Sequence, residues 1–239
     1  MKKFFVFVLF FAALACSLGY YKGLEEERAA NLIWAAYEAN LTAVKNALED
    51  GAQMDWVMYI DDPQRHYQNA EFTPLLAAAS GGNDQIVRLL LKLGDNPNYA
   101  NLQGWTALFV AVRDGHAETA AKLVQEGADP NPQTDTGATP LILAMTVDMP
   151  DEEQRLKLIE YLLKRGADPN LKTKWDTDAL FYAVTELQSK EAVQLLAEHH
   201  ADFCRRYDGK TILQIAAGRN PKIIPALSKA YGEKCKSGR

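Results

Sequence analysis

GADPN at 127–131, repeated at 166–170 and present as GDNPN at 94–98, closes a segment of chain each time it appears. About eight residues after each closing Asn comes an opening phrase: WTALFVA at 105–111, ATPLILA at 138–144 and TDALFYA at 177–183. FTPLLAA at 72–78 opens the segment that GDNPN closes. From opening Thr to closing Gly is 21 residues in the first two of these segments, Thr73 to Gly94 and Thr106 to Gly127. A fixed period of about 33 residues means stacked supersecondary units, each unable to bury its apolar face alone.

Within a segment the pattern is helical. IVRLLLKLG at 86–94 and LIEYLLKRG at 158–166 place apolar residues at i, i+3 and i+4 and stop at Gly. That is an amphipathic helix with a left-handed cap. TPLLAAAS at 73–80 sets Pro in a first helical turn, where its missing N–H costs nothing. Its Ala run lets a neighbouring helix come close. Each segment therefore reads as helix, short turn, helix and loop. Trp34, Leu89, Leu123, Leu162 and Leu195 fall in the helical periodicity and are expected in the core.

Thr73-Pro74-Leu75 and Thr139-Pro140-Leu141 open two units. Degenerate forms open three more, at Thr106-Ala107-Leu108, Asp178-Ala179-Leu180 and Thr211-Ile212-Leu213. Gly115-His116 precedes a second apolar stretch. Together these motifs resemble the ankyrin repeat, from about Asn31 to Gly232. The resemblance implies an all-α ankyrin-repeat solenoid of about six stacked helix–turn–helix units, whose extended surface binds proteins. The first unit, at 31–55, is degenerate. Four follow, beginning near Asn69, Asn101, Thr134 and Lys174, and the sixth occupies 208–232. Atypical end units are what capping requires. The domain is expected over 22–235, with a basic tail at 236–239.

Three places break the period. Asp55 to Thr73 is 18 residues, so the first finger loop carries about ten extra. Thr139 to Gly166 is 27 residues, which makes VDMPDEEQ at 147–154 an insertion between paired helices. The fifth unit has one extra residue, with Asp178 and His200 in place of the usual Thr and Gly. Insertions in solenoids map to loops and often to the binding face.

MKKFFVFVLFFAALACSLGYY at 1–21 has two Lys, an apolar run from Phe4 and then small residues, the grammar of an export signal. Three fates compete: cleavage after Ala15 or near Gly19, lipidation at Cys16, and retention as an anchor. Ala13-Leu14-Ala15-Cys16 resembles a bacterial lipobox, with the usual Leu one position late. The run from Phe4 to Tyr21 is at the lower limit for spanning a bilayer, and Lys2 and Lys3 would then stay cytoplasmic. All three fates put the repeats outside the cytoplasm, periplasmic or secreted, with membrane attachment only through the leader or a lipid.

Besides Cys16 the chain has Cys204 and Cys235, an even number in a compartment that permits disulfides. Cys204 stands where the closing Asn stands in earlier units. Cys235 falls one position away in the next layer when Tyr231-Gly232 is aligned on the closing Gly. A bridge is geometrically reasonable; the alternative is two unpaired thiols.

At 48% hydrophobic and a formal charge of −5, the chain reads as one acidic solenoid without a basic stripe. That argues against nucleic acid, whose binding depends on neutralising phosphates. No phosphate loop, nucleophile elbow or metalloprotease helix is present, so no catalytic, cofactor or metal site is expected. His116 belongs to the repeat grammar, and adjacent His199 and His200 have no ligand partners at spacing. His66 lies in the long finger.

Contact positions carried over from the ankyrin resemblance flank the opening phrase and the turn between helices. They fall on Phe72, on Leu102, Trp105, Arg113 and Asp114, on Trp175 and Glu186, and on Tyr207 and Lys210, all expected to be exposed. The long finger adds Trp56, Tyr59 and Tyr67. Aromatics of this kind are enriched at binding hot spots. The expectation is an exported monomer that binds a protein partner, a basic one given the charge, through a concave face and finger loops. Its role would be that of an immunity protein inhibiting a periplasmic toxin. The alternative is an assembly or support factor for an envelope or catalase-type oxidant-defence enzyme.

Overall fold

The structure is a computed structural model describing residues 22–62, 67–149 and 151–235, the side chains of 22–24, 61, 67–69 and 233–234 excepted. The chain forms two compact units, Met1–Asn96 and Pro97–Arg239. The expected leader at 1–21, with Cys16, and the basic tail at 236–239 lie outside the described residues, as does His66.

In the first unit α1 (Lys22–Tyr37) pairs with α2 (Leu41–Glu49), and α3 (Pro74–Gly81) with α4 (Asp84–Lys92). α1 packs on α3 and α2 on α4, so each pair buries its apolar side on the next. The Ala run does what its volume allows. α3 is buried from Pro74 to Ser80. A Cβ added at Gly81 would lie 2.7 Å from the Ala36 carbonyl oxygen, so the helix crossing requires glycine there.

The ten-odd extra residues of the first finger form a hairpin rather than a loop. β1 (Met58–Asp62) pairs antiparallel with β2 (Tyr67–Phe72), Tyr59 facing Glu71 and Ile60 facing Ala70, with a shift in register between Ile60 and Asp62. Alternation sorts β1, with Ile60 buried and Val57 and Tyr59 exposed, while in β2 Ala70 and Phe72 are buried together with Glu71 between them. Tyr37 anchors the hairpin by donating its hydroxyl to the Asp62 carboxylate at 2.5 Å and meeting the Phe72 ring edge-on.

In the second unit an inner row, α5 (Ala107–Arg113), α7 (Pro140–Thr146), α9 (Ala179–Tyr182) and α11 (Ile212–Arg219), packs layer on layer. Behind it runs an outer row: α6 (Ala117–Gln125), α8 (Glu152–Lys164), α10 (Lys190–Glu198) and α12 (Ile224–Cys235). The opening Thr is an N-cap. Thr106, Thr139 and Thr211 each accept a backbone N–H three residues on, and Asp178 does the same in the fifth unit. Leu123 and Leu162 are fully buried. Leu89, Leu195 and Trp34 are only half-buried, because Leu90 and Leu196, one position on, take the inward places.

The closing phrase also has a mechanism. The Asn131 carboxamide accepts the Asp168 N–H at 2.7 Å and donates to the Gly166 carbonyl at 2.8 Å. Asn98 likewise accepts from Asp129, and Asn170 from Asp202, so each closing Asn holds the next unit's loop. The Asp two residues earlier accepts the Asn N–H and shapes the turn. In the last of these turns Cys204 occupies the Asn position. It is joined to Cys235 by a disulfide with the Cα atoms 5.5 Å apart. The bridge spans 31 residues, and its reduction should lower stability by about 3–4 kcal/mol by loop-closure entropy. The loss should be felt mainly in α11 and α12, because a one-dimensional array frays from its ends. Hydrogen exchange with and without reductant measures this. Equal protection of α12 in both forms would mean that packing alone holds it.

The two irregular units resolve differently. Most of the VDMPDEEQ insertion does not stay a loop. Asp151 caps α8, which reaches 13 residues where α6 and α10 have nine. Arg155 in its first turn and Met149 just before it are buried, and Arg155 donates to the Met149 carbonyl at 3.4 Å. The extra residue of the fifth unit becomes a π-helical turn at Ala183–Leu187, closed by Gln188 in the left-handed region.

GDNPN departs from GADPN at its second residue. Ala128, Ala167 and Ala201 are buried at this position, and Asp95 takes their place with its Oδ2 atom buried and unpartnered. Burial pushes the Asp95 carboxyl up to about 6, against the Asn96 backbone N–H. A raised carboxyl pKa favours the protonated folded state, so this contribution destabilises progressively as pH rises from about 4 to about 6. Asp95→Ala should therefore stabilise the chain at pH 7 by about 1–2 kcal/mol, allowing for partial solvent screening. Urea unfolding of both forms at pH 4.5 and pH 7 checks it. A gain that does not shrink at the lower pH would place the effect elsewhere.

Candidate protein-binding surface

The expected contact residues divide once they are placed. Among the described residues Trp175 is the most exposed aromatic, at 68%, on the turn that opens the fifth unit, where Thr173 holds its N–H. Tyr59 is 53% exposed on the hairpin, with Val57 beside it. Trp56 is half-buried and donates its indole N–H to Gln53. Glu186 and Lys210 are exposed. The Tyr67 side chain lies outside the described set.

Two expected surface aromatics are interior. Phe72 is 0% exposed because strand alternation turns it inward against Tyr37. Tyr207 is 5% exposed because its hydroxyl donates to the Asp178 carboxylate at 2.7 Å. Trp105 is intermediate rather than free on the surface: Arg113 lies over its ring at 4.5 Å and Phe109 stacks on the other part. Arg113 and Asp114 are themselves half-buried.

Asp178 organises the fifth and sixth finger loops. Its carboxylate is 3.2 Å from Arg205, accepts the Tyr207 hydroxyl and caps α9 at the Phe181 N–H. Burial pushes the Asp178 carboxyl up, against the pull of Tyr207, the Phe181 N–H and Arg205. Burial and the neighbouring carboxylate hold the Tyr207 hydroxyl far above the usual phenol range. Arg205 also binds the Asp176 carboxylate and carbonyl, and Lys172 approaches Asp176 at 3.2 Å. Those cations hold Asp176 below the usual carboxylate range.

Asp176 and Tyr207 of this network line a groove of about 510 Å³. The groove runs between the finger turns and the inner helices, from Trp175 and Phe181 across to Ile215 and Gly218, with Asp208, Lys210 and Arg219 also in its lining. No group of three or more His, Cys, Asp or Glu among the described residues could hold a metal ion. Among the same residues no helix is long and apolar enough to cross a membrane. What the arrangement offers chemically is a shaped, partly apolar recess on a rigid scaffold, the form of a binding surface. Val57 and Gly218 lay outside the sequence-based set. The Met58/Ile60 alternation and a glycine inside an otherwise regular helix were the signals for them.

Comparison with known proteins agrees with this form. The model for ankyrin repeats (three copies) matches residues 32–134, 93–173 and 152–237. Human ankyrin repeat and SOCS box protein 6 is 31% identical over 154 residues, 61% of this chain and 35% of that protein. The chicken nuclear factor NF-kappa-B p105 subunit is 31% identical over 192 residues, 79% of this chain and 19% of that protein. The chain thus spans about a third or less of the curated relatives it matches. Among solved structures, the complex of the Bd0816 predatory endopeptidase from Bdellovibrio bacteriovorus with immunity protein Bd3460 contains a similar chain. The likeness has a TM-score of 0.66 at 27% identity and covers 83% of this chain and 97% of that one. With matched repeats running nearly end to end, the chain belongs to the ankyrin-repeat family of protein-interaction modules.

Proposed function

We propose that this chain is an exported binding module that occupies and neutralises a protein partner outside the cytoplasm, in the manner of an immunity protein. The observation that carries the reading is the likeness to a chain of the endopeptidase–immunity protein complex over 97% of that chain. The leader at 1–21 supports export, and a rigid repeat surface binds with little ordering cost. The exposed contacts are Trp175, Lys210 and Glu186 in one unit and Tyr59 in the other, with Trp105 and Arg113 contributing their outer edges. A formal charge of −5 would steer a basic partner and make association slow as salt rises.

The test is capture of the partner from an envelope fraction, followed by assay of its activity with equimolar chain. Neutralisation requires that activity falls; a partner whose activity is unchanged or raised would sink it. Trp175→Ala should weaken the complex by about 2 kcal/mol while leaving thermal stability unchanged, as a hot-spot residue on the surface does. If that variant unfolds and binds normally when folded, Trp175 is structural and recognition lies elsewhere.

A further inference from the structure

We propose that the Cys204–Cys235 bridge is a thiol–disulfide exchange site, opened by a dithiol reductant through attack on the Cys204 sulfur. The sixth unit opens with it while the units before it stay folded. The exchange itself stands apart from the binding reading above.

The two sulfurs are not equivalent. Cys204 is exposed on the turn that closes the fifth unit, so a thiolate in solvent reaches it. Cys235 is half-buried at the end of α12. In sequence Cys235 lies between Lys234 and Lys236, with Glu233 one residue further. Cys204 has its N–H held by the Asp202 carboxylate. Of the two arginines that follow it, Arg205 is paired with Asp176 and Asp178, and Arg206 donates to the Gly209 carbonyl. Neighbouring cations favour a departing thiolate, and the sulfur that leaves more readily directs attack onto the other. Access and leaving ability therefore select the same reaction, with Cys204 attacked and Cys235 displaced.

The reductant's thiolate bonds to the Cys204 sulfur as the Cys204–Cys235 bond breaks. Cys235 departs with the electron pair and takes up a proton. The reductant's second thiolate then displaces Cys204, which is protonated in turn. Two electrons and two protons pass from the dithiol to the bridge, and the dithiol becomes a disulfide. A disulfide oxidant runs the same steps backward.

What the bridge holds is thin. Earlier joints are gripped by the hydrogen bonds of Asn98, Asn131 and Asn170, and the covalent bond stands where the next such grip would be. Among the described residues the sixth unit buries Ile212, Ala216, Ile223, Leu227 and Ala230, whereas α5 alone buries all of residues 107–112. Gly218 lies inside α11, where glycine costs stability relative to alanine, and a Cβ built there would meet nothing within 4 Å. Losing a closure of 31 residues shifts the unit's closed-to-open ratio by on the order of several hundredfold. Exposed Lys210 leaves with the unit. The proposed contact surface is then complete only in the oxidised chain, a consequence that does rest on the binding reading.

The test uses the full chain with Cys16→Ser, which leaves these two cysteines alone. Oxidised protein is treated with glutathione, free thiols are blocked with N-ethylmaleimide, and the adducts are mapped by mass spectrometry. The mixed disulfide should sit on Cys204, with Cys235 blocked, by about fivefold or more over the reverse. Lys234→Ala with Lys236→Ala should slow the reaction by about threefold or more. Full reduction by dithiothreitol should speed tryptic cleavage after Arg219, Lys222 and Lys229 by about tenfold or more, leave cleavage within residues 107–164 unchanged, and reverse on reoxidation. Cys204→Ser with Cys235→Ser should be cleaved at the fast rate with or without reductant. An adduct mainly on Cys235, a rate indifferent to the two lysines, or exchange only in urea would each overturn the exchange site. A sixth unit equally resistant in the reduced chain and in the double serine variant would overturn its opening. None of these outcomes needs a partner, so they leave the binding reading to its own test.

Discussion

Replacing Asp178 by Ala should cost the chain about 4 kcal/mol, concentrated in the fifth and sixth units. The change removes the cap from α9, leaves the Tyr207 hydroxyl buried at 5% exposure without its acceptor, and takes one of two carboxylates from Arg205. The cap alone is worth about 1 kcal/mol and the orphaned hydroxyl about 1–3. These losses share one side chain and do not simply add. Asp178→Asn should cost less than half as much, because a carboxamide oxygen still caps Phe181 and accepts from Tyr207. Arg205 keeps Asp176 in both variants. Urea unfolding with hydrogen exchange along the chain measures both the size and the place of the effect. Equal costs for Ala and Asn would mean that the charge toward Arg205, rather than the hydroxyl and the cap, is what Asp178 supplies.

Leu123→Ala should cost a similar amount, about 4 kcal/mol, by a different route. Leu123 is 0% exposed in α6, between the inner helix α5 and the outer helix α8. Removing its side chain leaves a cavity that two helices on either side cannot both collapse into. Leu195→Ala, one position before Leu196, the α10 counterpart of Leu123, and only half-buried, should cost less than half of that. The comparison is made by urea midpoint on the full chain. If the two variants lose the same stability, periodicity and not burial is the better guide to the core.

Most of the fold was legible because the repeat phrase encodes contacts. Thr at the opening is a cap, Asn at the close is a link to the next loop, and the apolar period between them is two helices. The insertion points were legible as departures from the period, since counting residues between Thr and Gly locates them without a structure. What they become was not. The finger segment reads as loop because its alternation runs for only five residues in β1, and strand identity there decides the fate of Phe72. Counting from the opening phrase alone made it a surface position; counting along β2 puts it inside. Tyr207 failed for a related reason. Its environment is set by Asp178, 29 residues earlier, and only the structure brings the two together. The substitution of Asp for Thr at a buried cap was the available warning: an acid there needs donors, and Arg205 and Tyr207 one unit later were the nearest supply. Trp175 kept its exposed place because its turn holds itself by local hydrogen bonds and no neighbouring side chain covers it.

The closing Asn works as a coupling on a railway: each carriage carries the hook that receives the next. Asn98, Asn131 and Asn170 all present that hook, and Cys204, locked to Cys235, does not. The array can therefore be lengthened by duplicating an internal unit, since the copy brings its own hook and finds one waiting. A unit spliced on after residue 204 would arrive at a position with nothing to receive its loop. Anyone building longer binders from this scaffold should insert between residues 98 and 170 and leave the last coupling closed.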